Sequence, residues 1–329
     1  EGDAYNGEEP HMRWDLYPHI KEMVNILTNP KQNKATLPTG EETNTFDYFI
    51  NRLAFQFQTG RKTLNAIIFK GKQGAGKNLF FSKIHKYVLG DHFTVANSKT
   101  IAGDFNALLA EKRHIIFDEV ITDQKGMDQA SNNIKAFITN DEIVSEKKGV
   151  DQKVVKNFAN CDFLTNNDLW KIELGDRRYT CIETKGNLDM RLLKLFQMDI
   201  NTFVEHLEKE RDDFIADLLN LPFNEDYAKR VLMTPFKKNL IARTNPTDVL
   251  FKTWAIDNNQ EEIRSYFLDL GPLTLEKLLK EVDAGVLSTT MLRSIYTSFA
   301  PQRHRADDND AVVGRYWTKH FGPAEILKV

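Results

Sequence analysis

One stretch constrains this chain more than any other. Residues Gly71-Lys72-Gln73-Gly74-Ala75-Gly76-Lys77-Asn78 follow the short apolar run Asn65–Phe69 and open a helical pattern that continues to Leu89 and stops at Gly90. Glycine lacks the Cβ that would obstruct successive backbone N–H groups turning toward one anion. The N-terminus of the following helix adds a partial positive charge. Gly71, Gln73, Gly74, Ala75 and Gly76 therefore read as a phosphate cradle, and Lys77 as the cation that reaches β- and γ-phosphates. The next residue in such turns is ordinarily Ser or Thr, whose hydroxyl binds Mg²⁺. Here it is Asn78, whose amide oxygen is a competent hard ligand but a departure from the pattern. ATP with Mg²⁺ is the ligand this arrangement implies.

A nucleotide turn of this kind needs acids on a neighbouring strand. His114-Ile-Ile-Phe-Asp118-Glu119 supplies them at the end of an apolar run. Asp118 is placed to hold Mg²⁺ through water, and Glu119 to orient and deprotonate an attacking water. A third apolar run, Asp162-Phe-Leu-Thr165, ends in Asn166-Asn167-Asp168, where the amide of Asn166 is suited to sensing a γ-phosphate or its water. Downstream, Gly175-Asp176-Arg177-Arg178-Tyr179 places two guanidinium groups in a turn. Arginine is always charged and forks onto phosphate oxygens, which suits it to stabilise a phosphoryl-transfer transition state.

Short β-type runs at Asn65–Phe69, Phe93–Ala96, His114–Phe117 and Asp162–Thr165 alternate with helical patterns at Lys77–Leu89, Phe105–Glu111 and Met127–Thr139. That alternation predicts an α/β core with a mostly parallel sheet covered on both faces. Four segments are expected: a helical one over 1–60, the ATPase core over 61–186, a helical domain over 187–284 and a small C-terminal module over 285–329. The stretch Asn29–Asn44 reads as a loop between two N-terminal helices. Hydrophobic residues make up 41% of the 329, with 22 Phe, which is ample for a core. A net charge of -3 excludes a globally basic nucleic-acid binder but not a local basic patch. No apolar run is long enough to span a bilayer, and the first residues carry no signal-peptide pattern, so a soluble intracellular chain is expected. The two cysteines, Cys161 and Cys181, form no disulfide framework, and no Cys or His pair has zinc spacing. The chain starts without Met, which fits a piece of a longer protein.

The four elements, in this order between Gly71 and Arg178, resemble the superfamily 3 helicases, AAA+-type ring ATPases of small viruses and phages. The likeness runs to the helicase module of phage primase-helicase and primase-polymerase proteins. It implies an AAA+-like P-loop core flanked by an N-terminal helical collar and a C-terminal helical or winged-helix-like part. It also implies a homo-oligomeric ring, expected to be hexameric, with ATP bound between subunits. One copy would supply Lys77, Asp118, Glu119 and Asn166, and its neighbour the arginine finger. Arg178, directly before Tyr179, matches the finger better than Arg177 does. The family also carries a channel hairpin that grips single-stranded DNA. The matching stretch is Ile143–Lys156, where two β-prone runs flank Lys147-Lys148-Gly149 and Lys153 follows. Its lysines would meet phosphates without reading sequence.

The resemblance further implies fusion to a primase or polymerase in the parent chain and residence in the host cytoplasm. In the C-terminal segment, Arg293, Arg303, Arg305, Arg315 and Lys319 are interleaved with Tyr296, Trp317 and Phe321, but Asp307, Asp308 and Asp310 dilute the basic patch. Two other functions compete. A ring-shaped DNA clamp or polymerase scaffold with weak or no ATPase is favoured by Asn78. A small-molecule kinase leaves the lysine hairpin and the paired arginines unexplained.

Overall fold

The computed structural model describes residues 10–37, 42–96, 109, 111–118, 127–147, 150–166, 172–173, 175–244, 271–284, 288 and 290–291. These fall into two compact units. The first draws on Glu1–Ala35, Thr43–Leu169 and Arg177–Thr234, and the second on Thr36–Glu42, Trp170–Asp176 and Pro235–Val329.

The first unit opens with helix α1 (Pro18–Thr28), which has Pro at its start and a left-handed cap at Asn29. Two short strands follow, β1 (Lys34–Thr36) and β2 (Glu42–Asn44), inside the stretch that the sequence reads as a loop. Three-residue strands carry too few side chains to leave a periodic signal. Helix α2 (Thr45–Thr59) starts where the Asn44 side chain accepts the Asp47 N–H and ends at left-handed Gly60.

Five strands form a parallel sheet: β3 (Ala66–Lys70), β4 (Phe93–Ala96), β5 (His114–Asp118), β8 (Asn160–Thr165) and β9 (Tyr179–Glu183). Their spatial order is β4-β5-β8-β3-β9. Strands β3, β5, β8 and β9 are buried almost end to end, as parallel strands covered on both faces must be. Strand β9 is not among the strands that the sequence predicts, because Tyr-Thr-Cys-Ile-Glu is too short and mixed to stand out.

The Lys77–Leu89 helix is interrupted. α3 (Lys77–Phe80) passes through a π-helical turn over Phe81–His85 into α4 (Lys86–Leu89). That turn brings Phe81, Ile84 and His85 together into the core. Helix α5 (Met127–Thr139) precedes a separate antiparallel hairpin, β6 (Glu142–Lys147) with β7 (Val150–Lys156). Helices α6 (Leu188–Phe196), α7 (Ile200–Asn220) and α8 (Glu225–Lys229) complete the first unit. Arg13 and Tyr17 both bond Asp217 on α7, and the buried His19 meets Glu210 there, so the chain before α1 and α1 itself are fastened to α7.

In the second unit lie α9 (Pro235–Thr244) and α10 (Pro272–Asp283). Buried Lys237 donates to the Asp176 carbonyl at 2.6 Å and pairs with the Asp176 carboxylate at 3.5 Å. The helical patterns expected at Phe105–Glu111 and beyond Thr289, with the basic C-terminal module, lie almost wholly outside the described residues. Among the described residues no helix is long and apolar enough to cross a membrane. Both cysteines are free and buried.

A polar cluster sits inside this core. Arg52 on α2 has no exposed surface. Its Nη1 donates to Asp162 Oδ2 at 2.9 Å, its Nε to Asn65 Oδ1 and its Nη2 to the Asn65 carbonyl. The other Asp162 oxygen accepts the Ile67 N–H at 2.7 Å, and His114 Nε2 lies 3.2 Å from Oδ2. Burial alone would raise the Asp162 carboxyl, but Arg52 and His114 bring it below its usual value. Burial lowers His114, and it lowers His85 well below the ordinary histidine value with help from the neighbouring His114 and Arg52 charges. The His85 and His114 rings meet edge to face at 4.5 Å.

Burial thus biases both histidines toward the neutral form in the fold, while in the unfolded chain they protonate at about pH 6.5. Below that pH the unfolded state binds more protons, so their contribution is fully present above about pH 6.5 and is lost as the pH falls toward their folded values. The slope is at most about 1.4 kcal/mol per pH unit per histidine. His85→Phe keeps an aromatic ring beside Phe57 and Phe81. Urea unfolding at pH 7 and pH 5 should show a smaller acid loss for this variant than for the parent chain. An equal loss would mean that His85 does not titrate on unfolding.

Candidate nucleotide-binding site

The glycine turn leaves the C-terminal end of β3, the edge of a parallel sheet at which ligands bind. Its backbone is fixed from three sides. The Gly71 N–H bonds the Thr165 carbonyl at the end of β8, and Lys70 meets Glu183 at the end of β9 at 2.7 Å. The Gly74 carbonyl accepts the Leu188 N–H at the start of α6. Gly74 and Gly76 have φ of 79° and 75°, the left-handed region open to glycine. A Cβ on Gly71 would stand 1.9 Å from Thr184 Oγ1, and one on Gly76 would stand 2.7 Å from Leu188 Cδ2 and 3.1 Å from Met23 Cε. Thr184, Leu188 and Met23 thus shape the cradle, although no motif in the sequence marks them.

Four of the predicted side chains converge here. Lys77 Nζ donates to the Gly71 carbonyl at 2.6 Å, the Lys72 carbonyl at 3.2 Å and Asn166 Oδ1 at 2.8 Å. Asn166 occupies the bend directly after β8. Burial lowers the Lys77 ammonium from its ordinary value, and the nearby Asp118 charge opposes this. Asp118 closes β5, and its Oδ2 accepts the Asn78 Nδ2–H at 2.6 Å. The cluster therefore has one buried ammonium met by oxygens, one carboxylate and two amides at the ends of three neighbouring strands. Gln73 and Gly74 are exposed at the turn, and Ala75 is buried beneath it.

The paired arginines are elsewhere. The Arg178 carbonyl accepts the Ala66 N–H, and Tyr179 pairs with Ala66 while Glu183 pairs with Lys70. Arg177 and Arg178 thus stand at the start of β9, and the cradle stands at the end of the parallel β3. A strand of this length separates the two by roughly 15 Å along the sheet. Within one copy, neither arginine's backbone is near Lys77.

The hairpin forms as the sequence predicts, with Ser145 opposite Lys153 and Lys147 opposite Val150. Lys153 is exposed. Lys147 ends β6, while Lys148 and Glu119 lie outside the described residues. Among the described residues no group of three or more His, Cys, Asp or Glu side chains could hold a metal ion. A Mg²⁺ here would depend on the nucleotide together with Asn78 and Asp118.

Three comparisons bear on this arrangement. Residues 69–178, which contain every element of the cluster, match the model of a family of unknown function (DUF5906). The chain is homologous to a DNA primase-polymerase of Nitratiruptor phage NrS-1, with 27% identity over 292 residues that make up 84% of this chain and 38% of that protein. It thus spans well under half the length of that relative. An apo structure of the NrS-1 C-terminal region superimposes with a TM-score of 0.61 at 22% identity, covering 91% of this chain and 70% of the other. A second apo structure of that region, in an A form, gives 0.59 at the same identity and coverage. The α/β fold is therefore shared with that region.

Two substitutions separate the conformational demand on the turn from its packing demand. Gly74→Ala meets open space and should cost only the left-handed backbone preference, about 1–2 kcal/mol. Gly76→Ala adds overpacking against Leu188 and Met23 and should lose about 2–4 kcal/mol in all. Denaturant unfolding checks both, and equal losses would contradict the packing account.

Proposed function

We propose that this chain is the ATP-driven, ring-forming motor module of a phage replication protein, acting on single-stranded DNA. The observation that carries the proposal is the convergence of Lys77, Asn78, Asp118 and Asn166 on a glycine turn with no room for a Cβ at Gly71 or Gly76. The homology to a phage primase-polymerase supports the replication context, and with it the reading that the parent chain also carries primase or polymerase activity.

The residues fit a nucleotide triphosphate. The turn offers backbone N–H groups and a helix N-terminus to phosphate oxygens. Lys77 already holds three oxygen acceptors that a β/γ-phosphate would compete with. Mg²⁺ carried with the nucleotide would be held by Asp118 and the Asn78 amide oxygen, and it supplies neutralisation of phosphate charge. Asn166, released from Lys77, would orient the γ-phosphate and its water, and Glu119 would take that water's proton. Arg178, remote from its own cradle, would reach the site of the next copy, with Arg177 beside it. Head-to-tail contacts of this type close into a ring, here read as a hexamer. The hairpin lysines Lys147, Lys148 and Lys153 would hold the DNA backbone as the ring cycles.

A second reading draws on Asn78. Its amide donates to Asp118 where a hydroxyl would ordinarily face the metal, which favours a ring-shaped clamp that binds nucleotide and turns it over slowly or not at all. ATP turnover with and without single-stranded DNA separates the two. The motor reading expects DNA-stimulated turnover that Lys77→Ala reduces to background, together with loss of nucleotide binding by calorimetry. Turnover unchanged in Lys77→Ala would remove the cradle from the chemistry. Nucleotide binding without turnover would leave the clamp.

A further inference from the structure

A cleft of about 690 Å³ opens at the other end of the sheet from the glycine turn. Its walls come from the segments that lead into β3, β5 and β8 and from the root of the β6–β7 hairpin. Five cations line it, Arg61, Lys62, Arg113, Lys156 and Lys229, with side chains that are exposed or half-buried. Asp141 and Glu142 are the lining acids. Glu225 neutralises only in part, because Arg61 and Lys229 share its carboxylate, at 2.6 and 2.7 Å. The balance of the cleft is positive in a chain whose total is -3.

An aromatic ring stands among these cations. Phe158 is 44% exposed, and the Arg113 guanidinium lies over its face at 4.5 Å from the centroid. Arg113 lies over one face of the ring, and the remainder of the ring stays open to water among the cations. Stacked guanidinium and aromatic planes in a basic groove are what an unpaired base and its phosphate require. Duplex DNA meets the phosphate requirement but keeps its bases stacked inside, so it would leave Phe158 without a partner.

Position strengthens the case. Lys156 ends β7 and pairs with Glu142 across the root of the hairpin, while Phe158 follows two residues later. A strand that left the hairpin along β7 would enter this cleft. We infer that the cleft formed by Arg61, Arg113, Lys156 and Phe158 is a second single-stranded nucleic-acid site, which receives the strand beyond the hairpin and stacks one of its bases on Phe158. This inference rests on the motor reading for the identity of the strand, and on the cleft alone for the existence of the site.

The test is binding of a fluorescein-labelled oligothymidylate to the whole chain, followed by fluorescence anisotropy without nucleotide, so that ATP turnover plays no part. Phe158→Ala should weaken binding about tenfold and Phe158→Tyr should retain it. Lys156→Glu and Arg113→Glu should weaken it by tenfold or more and flatten the dependence of affinity on salt. Unlabelled duplex should compete poorly. Unchanged thermal midpoints confirm that these exposed substitutions leave the fold intact, and Lys156→Gln provides a milder variant if Lys156→Glu shifts it. A parent chain that binds the oligonucleotide with variants that bind it equally would overturn the second site and leave the motor reading standing. Loss in the charge variants alone, with Phe158→Ala equal to the parent, would overturn the base-stacking assignment. A parent chain that ignores the oligonucleotide would sink the motor reading and this site with it.

Discussion

The carboxylate of Asp162 ties the middle of the sheet together. It sits in β8, accepts the Ile67 N–H of β3, receives Arg52 from α2 and stands beside His114 of β5. Those three strands end in the glycine turn, in Asn166 and in Asp118. A slip in any one register would move its chemical group away from the others, because the strands are short and run parallel. The buried ion pair is expensive to form, and removing one partner of such a pair typically costs about 3–5 kcal/mol. Its position between helix and sheet ties α2 to β8, and through the Ile67 N–H to β3.

From that anchor the chemistry divides between the two ends of the sheet. At one end Lys77 draws the turn, the Asn166 amide and, through its field, Asp118 into one cluster. At the other end stand Arg177, Arg178 and the basic cleft beside the hairpin root. A single copy keeps the roughly 15 Å length of a strand between its lysine and its arginine, so under the proposed mechanism each arginine would serve the cradle of a neighbouring copy. The near-neutral total charge is then a sum over unlike surfaces.

The cradle was legible in the sequence because glycine, lysine and an apolar strand at fixed offsets leave few alternatives. Asp118 and Asn166 were legible because a strand that ends in a polar group is visible in a single window. The hairpin followed from two β-prone runs around a Lys-Lys-Gly turn. Other features were not legible, each for a physical reason. Thr184, Leu188 and Met23 contact the turn only after distant segments pack. Arg52, Asp162, His114 and His85 look like ordinary surface polar residues until the core closes around them. Strand β9 is recognised by its neighbour β3 rather than by its own pattern. Phe158 and Arg113 are distant in sequence and meet only where the strands begin side by side.

The central claim is that one active site is built by two copies. The direct measurement is ATP turnover by Lys77→Ala chains, Arg178→Ala chains and an equimolar mixture of the two, reassembled with single-stranded DNA. Each variant alone should be silent. In a random head-to-tail ring about a quarter of interfaces would join an intact lysine to an intact arginine, so the mixture should recover a clear fraction of the parent rate. A mixture as silent as its components, in assemblies of the parent's mass, would contradict the shared site.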